Sequence, residues 1–256
     1  MMTPESYFST VSNLDLRAYR AGVEHPGLVR ERSGSLTVEY APFDHVEDAA
    51  ELVIVGLTPG RQQAANALEA LASELKMGTP TKLALERAKR TASFSGPMRA
   101  NLIAMLDEIG VPALYGRASA REFFSDRQSR VHFTSALRYP VYLGGKNYSG
   151  TPNPFSQPIL KVMIETHLAE EAERLRTAMW VPLGQHAEAA LLHLASSGGL
   201  PRANILVGLP HPSGANAERV AYFLGRKDRA SLSVKTNAAR LDEAKRQLLE
   251  QVRTRT

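Results

Sequence analysis

Short unbroken apolar runs alternate along the chain with stretches in which apolar residues recur every three or four positions. Residues 52–57, 131–135, 179–183 and 205–209 each read as a strand of the sheet, brief and largely apolar. Helical patterns separate them. Residues 62–90 are rich in Ala, Leu, Glu and Lys and break near Gly78, Thr79 and Pro80. Residues 98–109 place Leu102, Met105, Leu106 and Ile109 on one stripe, with Gly110 as a C-cap. Further helices are predicted over 158–176 and 185–194, and a last one carries Leu241, Ala244, Leu248 and Val252 on one face. Residues 4–20 predict a short helix entered through Thr3, Pro4 and Glu5. Residues 36–40 alternate like an edge strand, and residues 139–154, rich in Gly, Asn and Pro, predict a loop. The alternation predicts an α/β fold, a three-layer α/β/α sandwich with a central, mostly parallel four-stranded sheet.

Composition narrows the class. A chain of 256 residues with 43% hydrophobic and 22% charged residues can bury a substantial core. No apolar run is long enough to span a bilayer, and the N-terminus lacks the basic and apolar regions of a signal peptide. The expectation is a soluble, cytoplasmic, monomeric protein with no membrane partner. The absence of cysteine excludes disulfides, thiolate catalysis, zinc knuckles and iron–sulfur clusters. His132, His167, His186 and His193 follow no ligand spacing, so no metal and no cofactor is expected.

Charge is distributed unevenly. Residues 217–256 hold ten Lys/Arg against five Asp/Glu, while the preceding residues hold twenty-one of each. Two readings fit that basic tail: phosphate binding, or a solvated face that keeps the protein soluble.

The chemistry gathers after the first and last strands. The first leads into Gly56-Leu57-Thr58-Pro59-Gly60-Arg61, the last into Pro210-His211-Pro212-Ser213-Gly214-Ala215-Asn216. Two parallel strands would deliver both loops to the carboxyl edge of one sheet, where open α/β folds bind ligands. Asn216 is placed to cap the helix that follows.

These two loops resemble the signature motifs of the uracil-DNA glycosylase superfamily, a G-x-x-P-G loop on the water and sugar side and an H-P-S loop gripping base and backbone. Phe94 to Gly110, Phe133 to Pro140, and Val181 to Ala187 are similar, in the same order, to further segments of its thermostable iron–sulfur branch. The resemblance spans about residues 50–225. It implies one glycosylase-like domain over 1–256, with an N-terminal extension (1–45), a helical insertion (62–93) and a basic C-terminal helix (232–256).

Residue roles follow from the resemblance. His211 would stabilise the departing base, and Thr58 would sit at the water-activating position. Gly56, Leu57, Pro59, Gly60, Phe94 and Ser135 would line the base pocket. Arg61, Pro212, Ser213, Gly214, Asn216 and Arg219 would meet DNA. For His211 the alternative is a histidine that satisfies a turn, for Thr58 a purely structural hydroxyl, and for Phe94 an ordinary core aromatic.

Three departures stand out. The branch's cluster cysteines are absent. Thr58 replaces the usual Asp or Asn, and Ser135 replaces the Asn that reads uracil. Gly60 also replaces the Tyr that, in the most uracil-selective branch, excludes C5 substituents. The chain is therefore expected to be a monofunctional DNA glycosylase acting on duplex or single-stranded DNA. Its substrate would be a uracil-like or C5-modified pyrimidine, such as a modified cytosine of phage DNA, with a role in repair or defence. The alternatives are an ordinary uracil repair glycosylase and a catalytically inactive DNA-binding member of the fold.

Overall fold

Leu52, Val53, Ile54 and Val55 are buried on both faces of their strand, as an interior parallel strand requires. In the computed structural model, which describes residues 3–93, 97–125 and 130–255, this strand is the middle of a parallel three-stranded sheet flanked by helices. In chain order the elements are α1 (Phe8–Ser12), α2 (Leu16–Arg20), β1 (Val29–Ser33), β2 (Leu36–Glu39), β3 (Leu52–Gly56), α3 (Arg61–Lys76), α4 (Thr81–Ala92), α5 (Pro97–Glu108) and α6 (Glu122–Ser125). They continue with β4 (Val131–Ser135), β5 (Val141–Leu143), β6 (Lys146–Asn147), α7 (Pro158–Met163), α8 (Ala169–Arg174), β7 (Met179–Pro182), α9 (Gln185–Ser196), α10 (Ala217–Phe223) and α11 (Ala238–Arg253). The central sheet has the order β4-β3-β7, with Leu52 opposite Met179 and Val55 opposite Pro182.

The predicted fourth strand is reduced to one parallel bridge, Trp180 to Ile205, with the Leu206 N–H donating to the Trp180 carbonyl at 2.9 Å. Gly208 ends it: its φ of +103° leaves the extended region, and its N–H donates to the Glu188 carboxylate at 2.9 Å instead of a ladder. Pro210 then offers no donor at all.

Two compact units emerge. One comprises Met1–Asp48, Gly56–Ser93 and Phe133–Arg174. It holds a second sheet, antiparallel, of order β1-β2-β5-β6. Here β2 is not an edge strand. It pairs with β1 and β5, and all four of its residues are buried. The expected loop at 139–154 contains the β5–β6 hairpin, closed by Gly144 and Gly145 at φ +54° and +76°, the left-handed pair that a two-residue turn needs. The first predicted helix is split, because Asp15 accepts from the Ala18 N–H at 3.0 Å and starts α2 afresh. α3 and α4 pack on each other across the Gly78 break. α7 and α8 are joined by a π-helical turn, Ile164–Leu168. Arg138 donates to the carbonyl of His167 in that turn and pairs with the buried Glu171 at 2.7 Å.

The other unit comprises Ala49–Val55, Phe94–His132 and Leu175–Thr256. Trp180 is fully buried, with its indole N–H donating to the Leu175 carbonyl. Leu102, Met105, Leu106 and Ile109 of the α5 region are buried, as their period predicts, and Gly110 takes φ +78°. Leu248 and Val252 of α11 are buried, while Leu241 and Ala244 are half-buried. Among the described residues no helix is long and apolar enough to cross a membrane.

Candidate functional site

The loop after β3 is stitched to the chain beyond β4. The Gly56 carbonyl accepts from Ala136 N–H at 2.8 Å, and the Leu57 carbonyl accepts from Leu137 N–H at 2.9 Å. That pairing holds half-buried Ser135, the last residue of β4, beside the loop; among the described residues its hydroxyl has no partner. Pro59 is buried and Leu57 half-buried. Thr58 is committed on both sides. Its hydroxyl donates to the Tyr139 carbonyl at 3.0 Å and accepts from the Val141 N–H at 3.1 Å. A hydroxyl has a single proton, so Thr58 has none left to give a water. Its visible work is to pin the loop.

Arg61 is expected at DNA, and its guanidinium is turned inward. The guanidinium lies 3.6 Å from the Tyr142 ring centroid and 4.7 Å from that of Tyr19, and pairs with Glu39 at 3.2 Å. Arg61 is 11% exposed at its side chain and Glu39 1%. Burial raises the Glu39 pKa, and the Arg61 charge opposes that rise. A buried carboxylate needs its cation more than solvent does.

Gly60 has an ordinary backbone conformation. Its φ of −80° and ψ of 167° suit any residue, so its backbone does not demand glycine. The nearest neighbour of an added side chain would be Asn147 of β6, at ordinary contact distance. A Cβ on Gly60 would lie 3.4 Å from the Asn147 amide nitrogen. The Asn147 Oδ1 accepts from the Arg61 N–H at 2.9 Å, at the first turn of α3. A polar group from the hairpin thus stands beside Gly60.

The second set of candidates belongs to the other unit. Gly184, at φ +82°, donates its N–H to the Leu209 carbonyl at 3.0 Å, and a Cβ there would come within 3.1 Å of the His211 Cβ. Glycine is required on both grounds. Asn101 of α5 donates to the Pro212 carbonyl at 2.9 Å. The Ser213 N–H donates to Nδ1 of His211 at 3.2 Å. Nδ1 is therefore the acceptor, and the proton of the neutral ring sits on Nε2. Burial lowers the pKa of His211, which keeps the imidazole neutral at pH 7.

Asn216 occupies the N-cap position of α10 without capping it by its side chain, contrary to expectation. Its carboxamide is used sideways, donating to the Ser213 hydroxyl at 3.3 Å and accepting from Arg219 at 2.9 Å. Gly214 is exposed and Pro212 buried. Phe94 lies outside the described residues. In the basic tail Lys227, Arg229, Lys245, Arg246 and Arg253 are ion-paired, whereas Arg226, Lys235 and Arg240 are exposed and have no ion pair among the described residues.

Asn101, Asn147 and Glu188 take part without belonging to either signature loop. A polar Asn101 on an otherwise apolar helix stripe was the one available signal; the others act through partners distant in sequence.

The family model described as Uracil DNA glycosylase superfamily matches residues 43–232. The chain belongs to this superfamily. Both loops lie within the matched span, and α11 lies outside it. The uncharacterized protein YoxB of Bacillus subtilis (strain 168) is 35% identical over 216 residues, covering 83% of this chain and 84% of that protein. No solved structure matches the chain at a significant level. Superfamily membership supports a DNA glycosylase-type hydrolase, with DNA as its partner.

Proposed function

We propose that the chain is a monofunctional DNA glycosylase that extrudes a uracil-like or C5-modified pyrimidine and hydrolyses its N-glycosidic bond. The observation that carries this reading is the state of His211. It is a neutral imidazole, locked by the Ser213 N–H so that Nε2 carries the proton. As the bond from C1′ to the base nitrogen breaks, its electron pair moves onto the base, and charge builds on the carbonyl oxygen. Donation from Nε2–H offsets that charge, as oxyanion-type donors do. Water adds to C1′ and releases its proton to solvent. With the Thr58 hydroxyl committed to Tyr139 and Val141, the reaction leans on a dissociative, oxocarbenium-like transition state that needs little base assistance. Gly214, Ser213 and Arg219 are the proposed backbone contacts, and Ser135 the proposed group at the base edge.

The test is base release from duplex and single-stranded DNA carrying uracil, hypoxanthine, mispaired thymine or C5-substituted cytosines. One base should be released by the protein, and His211→Ala should slow that release by about 10²–10³-fold, the usual cost of removing one such donor. DNA affinity should survive the substitution. The committed Thr58 hydroxyl favours a second reading, a DNA-binding member of the fold without catalysis. Retained binding with no release of any base would establish that reading instead.

A further inference from the structure

Gly60 is a glycine with no conformational need to be one. Its backbone is ordinary, and the neighbour that an added Cβ would meet is the side chain of Asn147, with Nδ2 at 3.4 Å, Cγ at 3.7 Å and Oδ1 at 3.9 Å. The carboxamide lies at ordinary van der Waals distance from the place of that Cβ. That carboxamide has a fixed orientation. The Arg61 N–H donates to it, so the atom at 2.9 Å must be the oxygen, and the amide nitrogen must be the end turned towards Gly60. Asn147 sits on the exposed two-residue strand of the hairpin, whose other strand is largely buried. An Nδ2 group carries two N–H donors, and among the described residues nothing accepts from them. The loop on the proposed base side therefore presents an exposed donor that no described protein group engages.

From this we infer that Asn147 is a specificity-determining residue, whose Nδ2 donates to an oxygen carried on the C5 substituent of the target pyrimidine. The inference rests on the glycosylase reading and sharpens it. A loop that had merely lost bulk at Gly60 would accept any larger base, a methylated one included. A fixed donor at that place prefers a substituent bearing an acceptor. Polar groups built to meet a substrate hydroxyl discriminate strongly against analogues that lack it, because they are left unpaired.

Asn147→Asp separates this role from a structural one. The aspartate keeps an acceptor for the Arg61 N–H at a helix N-terminus, where a negative charge is welcome, and it replaces the donor with an acceptor. Wild type, Asn147→Asp and Asn147→Ala are compared on duplexes carrying 5-hydroxymethylcytosine, its glucosylated form, 5-methylcytosine or uracil. Both kcat/KM for base release and equilibrium affinity are measured. Wild type should favour an oxygen-bearing base over 5-methylcytosine, and Asn147→Asp should cut that ratio about tenfold or more at an unchanged melting temperature. An unchanged ratio in Asn147→Asp, or no wild-type preference for the oxygen-bearing bases in either measurement, overturns the inference. If no base is released but the affinity ratio behaves as expected, the glycosylase reading fails and the role of Asn147 stands.

Discussion

At the scale of single residues, identity and role part company wherever a side chain finds a partner far along the chain. Arg61 is the sharpest case. Its position after a Pro-Gly loop suggests a cation offered to phosphate, yet it is clamped between Tyr142 and Tyr19 and neutralises Glu39. Arg61→Ala should destabilise the protein by about 3 kcal/mol at neutral pH, because it strands a buried carboxylate. Denaturant unfolding of Arg61→Ala beside the Arg61→Ala, Glu39→Gln double variant checks this. The double variant should recover part of the loss, and a loss identical in both would mean that stacking on Tyr142 matters and the pair does not. The same logic limits what could be read at Thr58 and Gly60. Their partners are Tyr139, Val141 and Asn147, some eighty residues downstream. His211 was easier to read, because the group that fixes its tautomer, the Ser213 N–H, lies two residues away.

Elements were legible where a period had room to repeat. The buried strands β3, β4 and β7 and the amphipathic helices α3, α4, α5 and α9 follow the pattern of apolar positions closely. The hairpin β5–β6 did not, because strands of three and two residues are too short to establish alternation, and their Gly144–Gly145 turn looks like any glycine-rich loop. The fourth strand fails for the opposite reason. Its residues are apolar enough, but Gly208 turns the chain away after a single bridge. That glycine also receives α11: a Cβ there would fall 2.9 Å from the Ala244 Cβ. Gly208→Ala should therefore cost about 3 kcal/mol, from the left-handed φ and the clash together. It should be read as a lower melting temperature and faster amide exchange in α11. Normal protection of α11 in that variant would show that the helix gives way without cost. Removing α11 to test for DNA contacts would confuse two effects, since Leu248 and Val252 are part of the core.

At the scale of the whole molecule, burial of histidines ties stability to pH. Burial lowers the pKa of both His45 and His167 to about 4, from 6.5. His211 moves in the same direction. Between those values the unfolded chain binds protons that the folded chain refuses at these histidines. Their contribution to stability is therefore full above pH 6.5 and is lost as pH falls towards 4. The raised carboxyls of Glu39 and Asp44 act in the opposite direction. Melting temperatures should drop through that window, and His45→Gln with His167→Gln should flatten the drop. An unaltered slope would place the titrating groups elsewhere. Neither compact unit is a continuous piece of chain, for each is woven from three separated stretches. During synthesis β3 emerges early, yet its partner Met179–Pro182 follows more than a hundred residues later. No cut, early stop or gene fusion at a single point can deliver one unit free of stretches that belong to the other. In evolutionary terms neither unit can be handed to another protein by a single exchange of chain ends, because moving one alone takes several breaks and rejoinings.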